Sequence, residues 1–257
     1  RISNDLTYDM NEVRNSSNDL PHPRLLSELK QEYDRGKRFN NDDDDDDETS
    51  KHRYIPYQIY CYIREKSEYC IRFQHTIRGR LFTLYFITFP ESHISICKTA
   101  AGPTSAAAIH GPCAAEIAVY QTYAYKVFIW LSIISRMSDV ECSEKLDIYF
   151  YMTPFKKLRP SSSSTGSVRK HAILSAIHVN TGLTRNCERH GEIVVYRSEE
   201  WFKVFIHETF HNFALDFSDM NNDAPHRCIL NIFKVKSDVN LYESYTEFWA
   251  EIMNALF

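Results

Sequence analysis

Two histidines and a glutamate sit in the middle of "WFKVFIHETFHNFALDFS", Trp201 to Ser218. His207 and His211 are four apart, so on a helix they share one face, one turn from each other. Two imidazoles so placed can bind one Zn2+. Glu208 follows the first histidine, rotated about 100° round the axis. From there it cannot easily ligate the same ion, but it can reach a water bound to it. HExxH is therefore two ligands and a general base. Eleven histidines in 257 residues put a chance HExxH at roughly a few per cent, so the motif needs support from its surroundings. Without a metal, the same helix would be an amphipathic one with Phe205, Phe210 and Phe213 facing the core and the histidines packed beside them.

A catalytic zinc site wants three protein ligands and one open position. The last segment, "NLYESYTEFWAEIMNALF", reads as a helix that can supply the third. Glu243 and Glu247 are four apart, and Glu251 continues the row. Three acids stacked on one helical face repel when all are solvated, and a cation nearby removes that penalty. The plainer reading is a solvated acidic stripe opposite Tyr242, Phe248, Trp249 and Ile252.

These residues must be held by a framework, and the preceding chain outlines one. "AAEIAVYQTYAYKVFIWLSIISRMS", Ala114 to Ser138, predicts a long helix, apolar nearly all round and so largely buried. Strands are expected at Leu146–Met152, Ala172–Asn180 and Glu192–Arg197. A flexible loop is expected at Pro160–Ser167, and an irregular stretch after the HExxH helix through Ser237. Ser198 suits an N-cap for the HExxH helix. Further upstream, "RYIPYQIYCYI", "YCIRFQHTI" and "RLFTLYFITF" read as strands of an antiparallel meander. Thr99–Pro112 is a small-residue boundary. Residues 1–52 are polar and acidic, read as largely disordered or linker with a short helix near Leu25, Leu26 and Leu29. Six consecutive aspartates there favour an extended chain. The expected organisation is thus 1–52, a β-rich 53–98 and a domain at 113–257.

"HETFH" followed by "ESYTEFWA" resembles the gluzincin metallopeptidases, and Thr246 with Trp249–Ala250 fits the helix of small intracellular HExxH peptidases. The wider stretch "HVNTGLT…GEIVVYRSEEWFKVFIHETFHNFALDFS" resembles uncharacterised metallopeptidases of large DNA viruses. The resemblance covers about residues 146 to 257; the 31 residues between His211 and Glu243 exceed the spacing of many family members. It implies an α+β, zincin-like metallopeptidase domain: backing helix, mixed sheet, HExxH helix and glutamate helix, preceded by the β-rich region. It implies Zn2+ on His207, His211 and Glu243, with Glu208 as general base, and a cleft-edge strand for extended substrate, for which "AIHVNTG" is the candidate. His178 on it is read as a strand residue rather than a ligand. Glu247 or Asp216 would orient a ligand imidazole. An oxyanion donor is still needed, and Tyr245, His226, Tyr242 and Arg227 are the candidates.

Composition sets the outer limits. Hydrophobic residues are 43% and aromatics 14%, enough for a real core, and the net charge of −4 gives no sign of a basic nucleic-acid face. The seven cysteines are odd in number and form no CxxC pair, which predicts no disulfide framework and a reducing, intracellular compartment: the host cytoplasm or a virion if the chain is viral. No membrane span is expected, the longest apolar run being Val127–Ile134. The expected function is zinc-dependent peptide-bond hydrolysis on a protein or peptide substrate. The competing reading is a structural or virion-associated protein whose zincin-like domain is inactive or metal-stabilised, with virion or capsid proteins as partners.

Overall fold

The computed structural model describes residues 8–12, 23–28, 30–31, 55–90, 112–158, 176–235 and 239–257. Six strands form one mixed sheet: β1 (Tyr8–Glu12), β2 (Tyr69–Ile77), β3 (Arg80–Ile87), β4 (Lys145–Tyr151), β5 (Gly182–Thr184) and β6 (His190–Val195). Their spatial order is β1-β2-β3-β4-β6-β5. β1 to β3 are antiparallel, β3, β4 and β6 run parallel, and β5 closes one edge antiparallel to β6. Among the described residues there are six helices: α1 (Tyr57–Lys66), α2 (Ala114–Ile134), α3 (Ala176–Val179), α4 (Trp201–Asn212), α5 (Asp223–Ile232) and α6 (Leu241–Leu256). The class is α+β.

Period-2 alternation sends the two sides of each strand to different cores. Phe82, Leu84 and Phe86 of β3, Leu146, Ile148 and Phe150 of β4, and Ile193 and Val195 of β6 join α2 and α4 in one. Tyr149, Tyr151, Val194 and Tyr196 face the other, filled by Ile59, Tyr60 and Ile63 of α1 and by Leu25 and Leu26. The apolar runs in β4 and β6 are thus strands buried on both faces, as parallel strands are.

Several expectations need correction. "YIPYQIYCYI" alternates Tyr and Ile like a strand, yet it folds as α1 after Pro56. Burial decides: Ile59 and Ile63 lie one helical turn apart and both are fully covered, so tertiary packing overrides β propensity. Residues 8–12 are a strand of the main sheet rather than linker. At 24–28 the chain is helical, as expected near Leu25 and Leu26; Glu192 accepts from the Arg24 and Leu25 backbone N–H groups. The aspartate run, the 99–111 boundary and the 160–167 loop lie outside the described residues. β2 and β3 belong to the same sheet as β4, so the 53–98 segment is continuous with the rest. The predicted strand at 172–180 is instead helical over its described part, α3, and the edge strand β5 begins just after it. The irregular stretch contains α5.

α2 buries one face rather than its whole circumference: Val127, Phe128, Trp130 and Leu131 are covered, while Ile129 and Ile133 are exposed. By length and composition this 21-residue helix could cross a membrane, which the short run Val127–Ile134 understates. In the fold its covered face packs on the sheet and on α4, where the Trp130 indole donates to Thr209 Oγ1 at 2.9 Å. Past its end, buried Arg80 gathers the carbonyls of Ser135, Ser138, Asp139 and Cys142. One guanidinium thereby ties the β2–β3 turn to the α2–β4 connection.

Cys142 and Cys187 are joined, with Cα atoms 4.5 Å apart, and Cys113 is also disulfide-bonded. The expectation of unpaired cysteines is therefore overturned, and with it goes the cysteine argument for a reducing compartment. Odd number and missing CxxC say nothing about pairs brought together by the sheet from 45 residues apart. A loop of that size implies about 4 kcal/mol of stabilisation by chain entropy as an upper figure. Cys142→Ser is expected to lower the unfolding free energy by roughly 2–4 kcal/mol in urea titration, and reductant should destabilise the parent chain by more than the variant, which keeps the Cys113 disulfide.

Candidate metal centre

α4 begins without a side-chain cap. Ser198 is spent elsewhere, its hydroxyl donating to Thr153 O, and Glu200 stands at the N-cap in the left-handed region. The N-cap expected at Ser198 is thus two residues early. From there Phe202, Phe205, Ile206 and Phe210 anchor the helix in the core, which turns Lys203, His207 and His211 toward α6. The helix ends in a reversal through left-handed Ala214, where Ala214 and Leu215 donate back to His211 O and Phe210 O. That reversal returns Asp216 to the side of His211.

Three donor atoms converge across the α4–α6 contact. The two Nε2 atoms of His207 and His211 are 3.0 Å apart, and Glu243 Oε2 lies 3.3 Å from the first and 3.5 Å from the second. Donors about 2 Å from a tetrahedral ion stand about 3.3 Å from one another. The triangle therefore has the dimensions of one face of a coordination tetrahedron, and the cluster His207, His211 and Glu243 can hold a metal ion. Imidazole nitrogens with one carboxylate suit the divalent transition metals as a group.

The other ring nitrogens are also fixed. His207 Nδ1 lies 3.1 Å from Glu247 Oε2, and His211 Nδ1 lies 2.6 Å from Asp216 Oδ2. Each carboxylate holds its imidazole with Nδ1 as the donor, which leaves the Nε2 lone pair for a cation. Both Glu247 and Asp216 thus fill the orienting position that sequence offered as alternatives. Asp216 is itself held by the Ser218 N–H and hydroxyl on Oδ1.

Glu208 stands beside the triangle in the same cleft, in the wall between α4 and β5. It is 8% exposed, and a Cβ added to Gly182 would come within 2.8 Å of its Oε1. Only glycine lets the edge-strand backbone approach this carboxyl so closely. Burial pushes its pKa up against the opposing pull of the two histidines.

The cleft beside these groups has a volume of about 1200 Å³ and is bordered by β5, by α3 with His178, and by one face of α6. His178 lines it without joining the donor triangle. Of the four oxyanion candidates, only Tyr242 borders it, its ring 6.3 Å from that of His211. Tyr245 is turned to the other side of α6, against Phe210, Phe217 and Trp249. A phenol at position i+3 from Tyr242 looked equally placed in sequence, but the core takes it. His226 and Arg227 sit on α5 and do not line the cleft. Sequence reasoning passed over Lys203 and Gly182; Lys203 had a readable signal, lying four residues before His207 on the same helical face.

Compared with protein-family models, with curated proteins and with solved structures, the chain matches none.

Burial would lower the pKa of both histidines, but bonds to carboxylates override it. Glu243 and Glu247 raise His207 to about 9, and Glu243 and Asp216 raise His211. The His207 and His211 bonds hold Glu243 down at about 2. Metal-free, His207 is therefore protonated at neutral pH and contributes stability that is complete below about 6.5 and lost as pH rises through about 9. A metal must displace that proton. Affinity for zinc, measured by chelator competition, is expected to rise at least tenfold per pH unit through neutrality, because both histidines are raised, and to flatten above about 9. Glu243→Ala should cut zinc affinity as deeply as His207→Ala; stoichiometric metal in Glu243→Ala would place the third ligand elsewhere.

Proposed function

We propose that this chain is a zinc-dependent peptide hydrolase of gluzincin type. One observation carries the reading. A donor triangle sized for a metal ion stands next to a buried carboxyl that is not needed to bind the ion, and both open on a cleft bordered by a sheet edge. His207, His211 and Glu243 would hold the ion, which when bound supplies Lewis-acid polarisation of a water and a carbonyl oxygen.

The remaining work falls to the chain. Glu208, with a raised pKa and its carboxyl at the cleft wall, accepts a proton from the attacking water and returns it to the leaving amine. Tyr242 is the phenol available to an oxyanion. Among the described residues, β5 pairs with β6 on one side only. Its free edge can take an extended peptide as an added strand, which makes protein or peptide the substrate class. The gluzincin resemblance of "HETFH…ESYTEFWA" supports the same assignment.

The competing structural role, with virion or capsid partners, predicts that Glu208 is dispensable. Glu208→Gln is nearly isosteric and removes only the base. It is expected to keep one zinc per chain while peptide-library cleavage falls by about 10²–10⁴-fold. Equal cleavage by parent and variant would remove Glu208 from the chemistry. Full metal with no cleavage in either would favour the structural role.

A further inference from the structure

Lys203 has no place in the hydrolytic reading, yet it is the most deeply buried lysine of the α4–α6 contact, 5% exposed. It lies on α4 one turn before His207, in the row Lys203, His207, His211. Facing it on α6 is the row Glu243, Glu247, Glu251. The two rows mesh as a zigzag. Glu243 lies against both histidines, Glu247 against His207 and Lys203, and Glu251 against Lys203. The Lys203 amine is 2.5 Å from Glu247 Oε1 and 3.3 Å from Glu251 Oε1, with Glu200 at 3.6 Å.

We infer that Lys203 is a positioning residue for the metal centre, acting through Glu247 on the His207 ring; this rests on the zinc reading above. Glu247 divides its two oxygens, Oε1 to Lys203 and Oε2 to His207 Nδ1. A carboxylate with one oxygen pinned by a buried ammonium has a fixed plane, and so has the imidazole that donates to its other oxygen. Glu247 is 47% exposed on its side chain, so without the lysine only its bond to the His207 ring holds it against rotation into solvent. Outer partners of metal-ligating histidines set metal affinity by fixing the ring and its donor nitrogen, and Lys203 extends that control by one more link. A mere helix clamp would change stability and leave metal affinity alone.

The test is zinc affinity of the purified full chain by chelator competition, in a double-mutant cycle of Lys203→Met and Glu247→Gln. Lys203→Met alone is expected to weaken zinc binding about tenfold, the lower end for such outer partners. In the Glu247→Gln background it should cost nothing further, because the link it acts through is gone. An unchanged zinc affinity in Lys203→Met overturns the inference, even if its metal-free melting temperature drops. So does an equal loss in both backgrounds, which would make Lys203 act independently of Glu247. If Met at this position prevents folding, Lys203→Gln is measured with the same expected loss and the same overturning results. A parent chain that binds no zinc would remove the metal reading itself. A parent that binds zinc with a silent Lys203→Met would remove only this inference.

Discussion

The contact between α4 and α6 is a ladder of opposite charges, and the site exists only because that ladder is neutralised. Glu243, Glu247 and Glu251 fall on one face of α6 and would repel across each turn. Opposite them stand His211, His207 and Lys203. Lys203 is positive at any ordinary pH, its amine held charged by the surrounding carboxylates against the effect of burial. The two histidines are positive only with protons or a metal. Protons and a cation are therefore interchangeable occupants of the same electrostatic demand, which is why metal-free His207 holds its proton far above its usual range.

Rigidity around the ladder comes from the sheet side. α4 is fastened along its core face by aromatic packing and by Trp130 to Thr209. At its end, Asn212 binds Ser143, Thr184 and Arg185, and its carbonyl accepts from Cys187 N–H. That single side chain joins the last turn of the HExxH helix to the edge strand and to the disulfide-linked connections. Gly191 makes room for it, since a Cβ there would lie 2.8 Å from both Asn212 Nδ2 and Ser143 Oγ. The edge strand, the base and the ligand helix are consequently one mechanical unit, and α6 is docked onto it both by the charge ladder and by apolar packing of Tyr245, Trp249, Ala250 and Met253.

How much of this was legible follows from the physics of each feature. The histidine pair, Glu208 and the acid row of α6 are helical spacings, local in sequence, and the helices that carry them form where they were expected. Buried strands β4 and β6 announce themselves as apolar runs. α1 does not, because its Tyr/Ile alternation satisfies a strand pattern and only the second core shows which face is covered. β5 is three residues long, too short for any periodicity, and its place was assigned to the preceding "AIHV". The disulfide and the Asn212 junction are pairings across the sheet, so nothing in local pattern encodes them. Tyr242 and Tyr245 are chemically alike and three apart; only packing against Phe210 and Phe217 separates the cleft phenol from the core one.

Placement of Glu208 argues that the ladder serves chemistry and not docking alone. A latch between α4 and α6 needs ligands, orienting carboxylates and Lys203. It gains nothing from a carboxyl buried in the cleft wall, where desolvation raises its pKa and costs stability at neutral pH. That cost is accommodated by a glycine in the edge strand, a residue that weakens a strand unless close approach is required. A buried acid and a strand glycine meet in the wall of the cleft that borders the donor triangle, where a Cβ on Gly182 would lie 2.8 Å from both Glu208 Oε1 and Val204 Cγ1. Under the proposed hydrolytic reading, the carboxyl reaches a water beside the metal and the strand holds a chain beside the carboxyl.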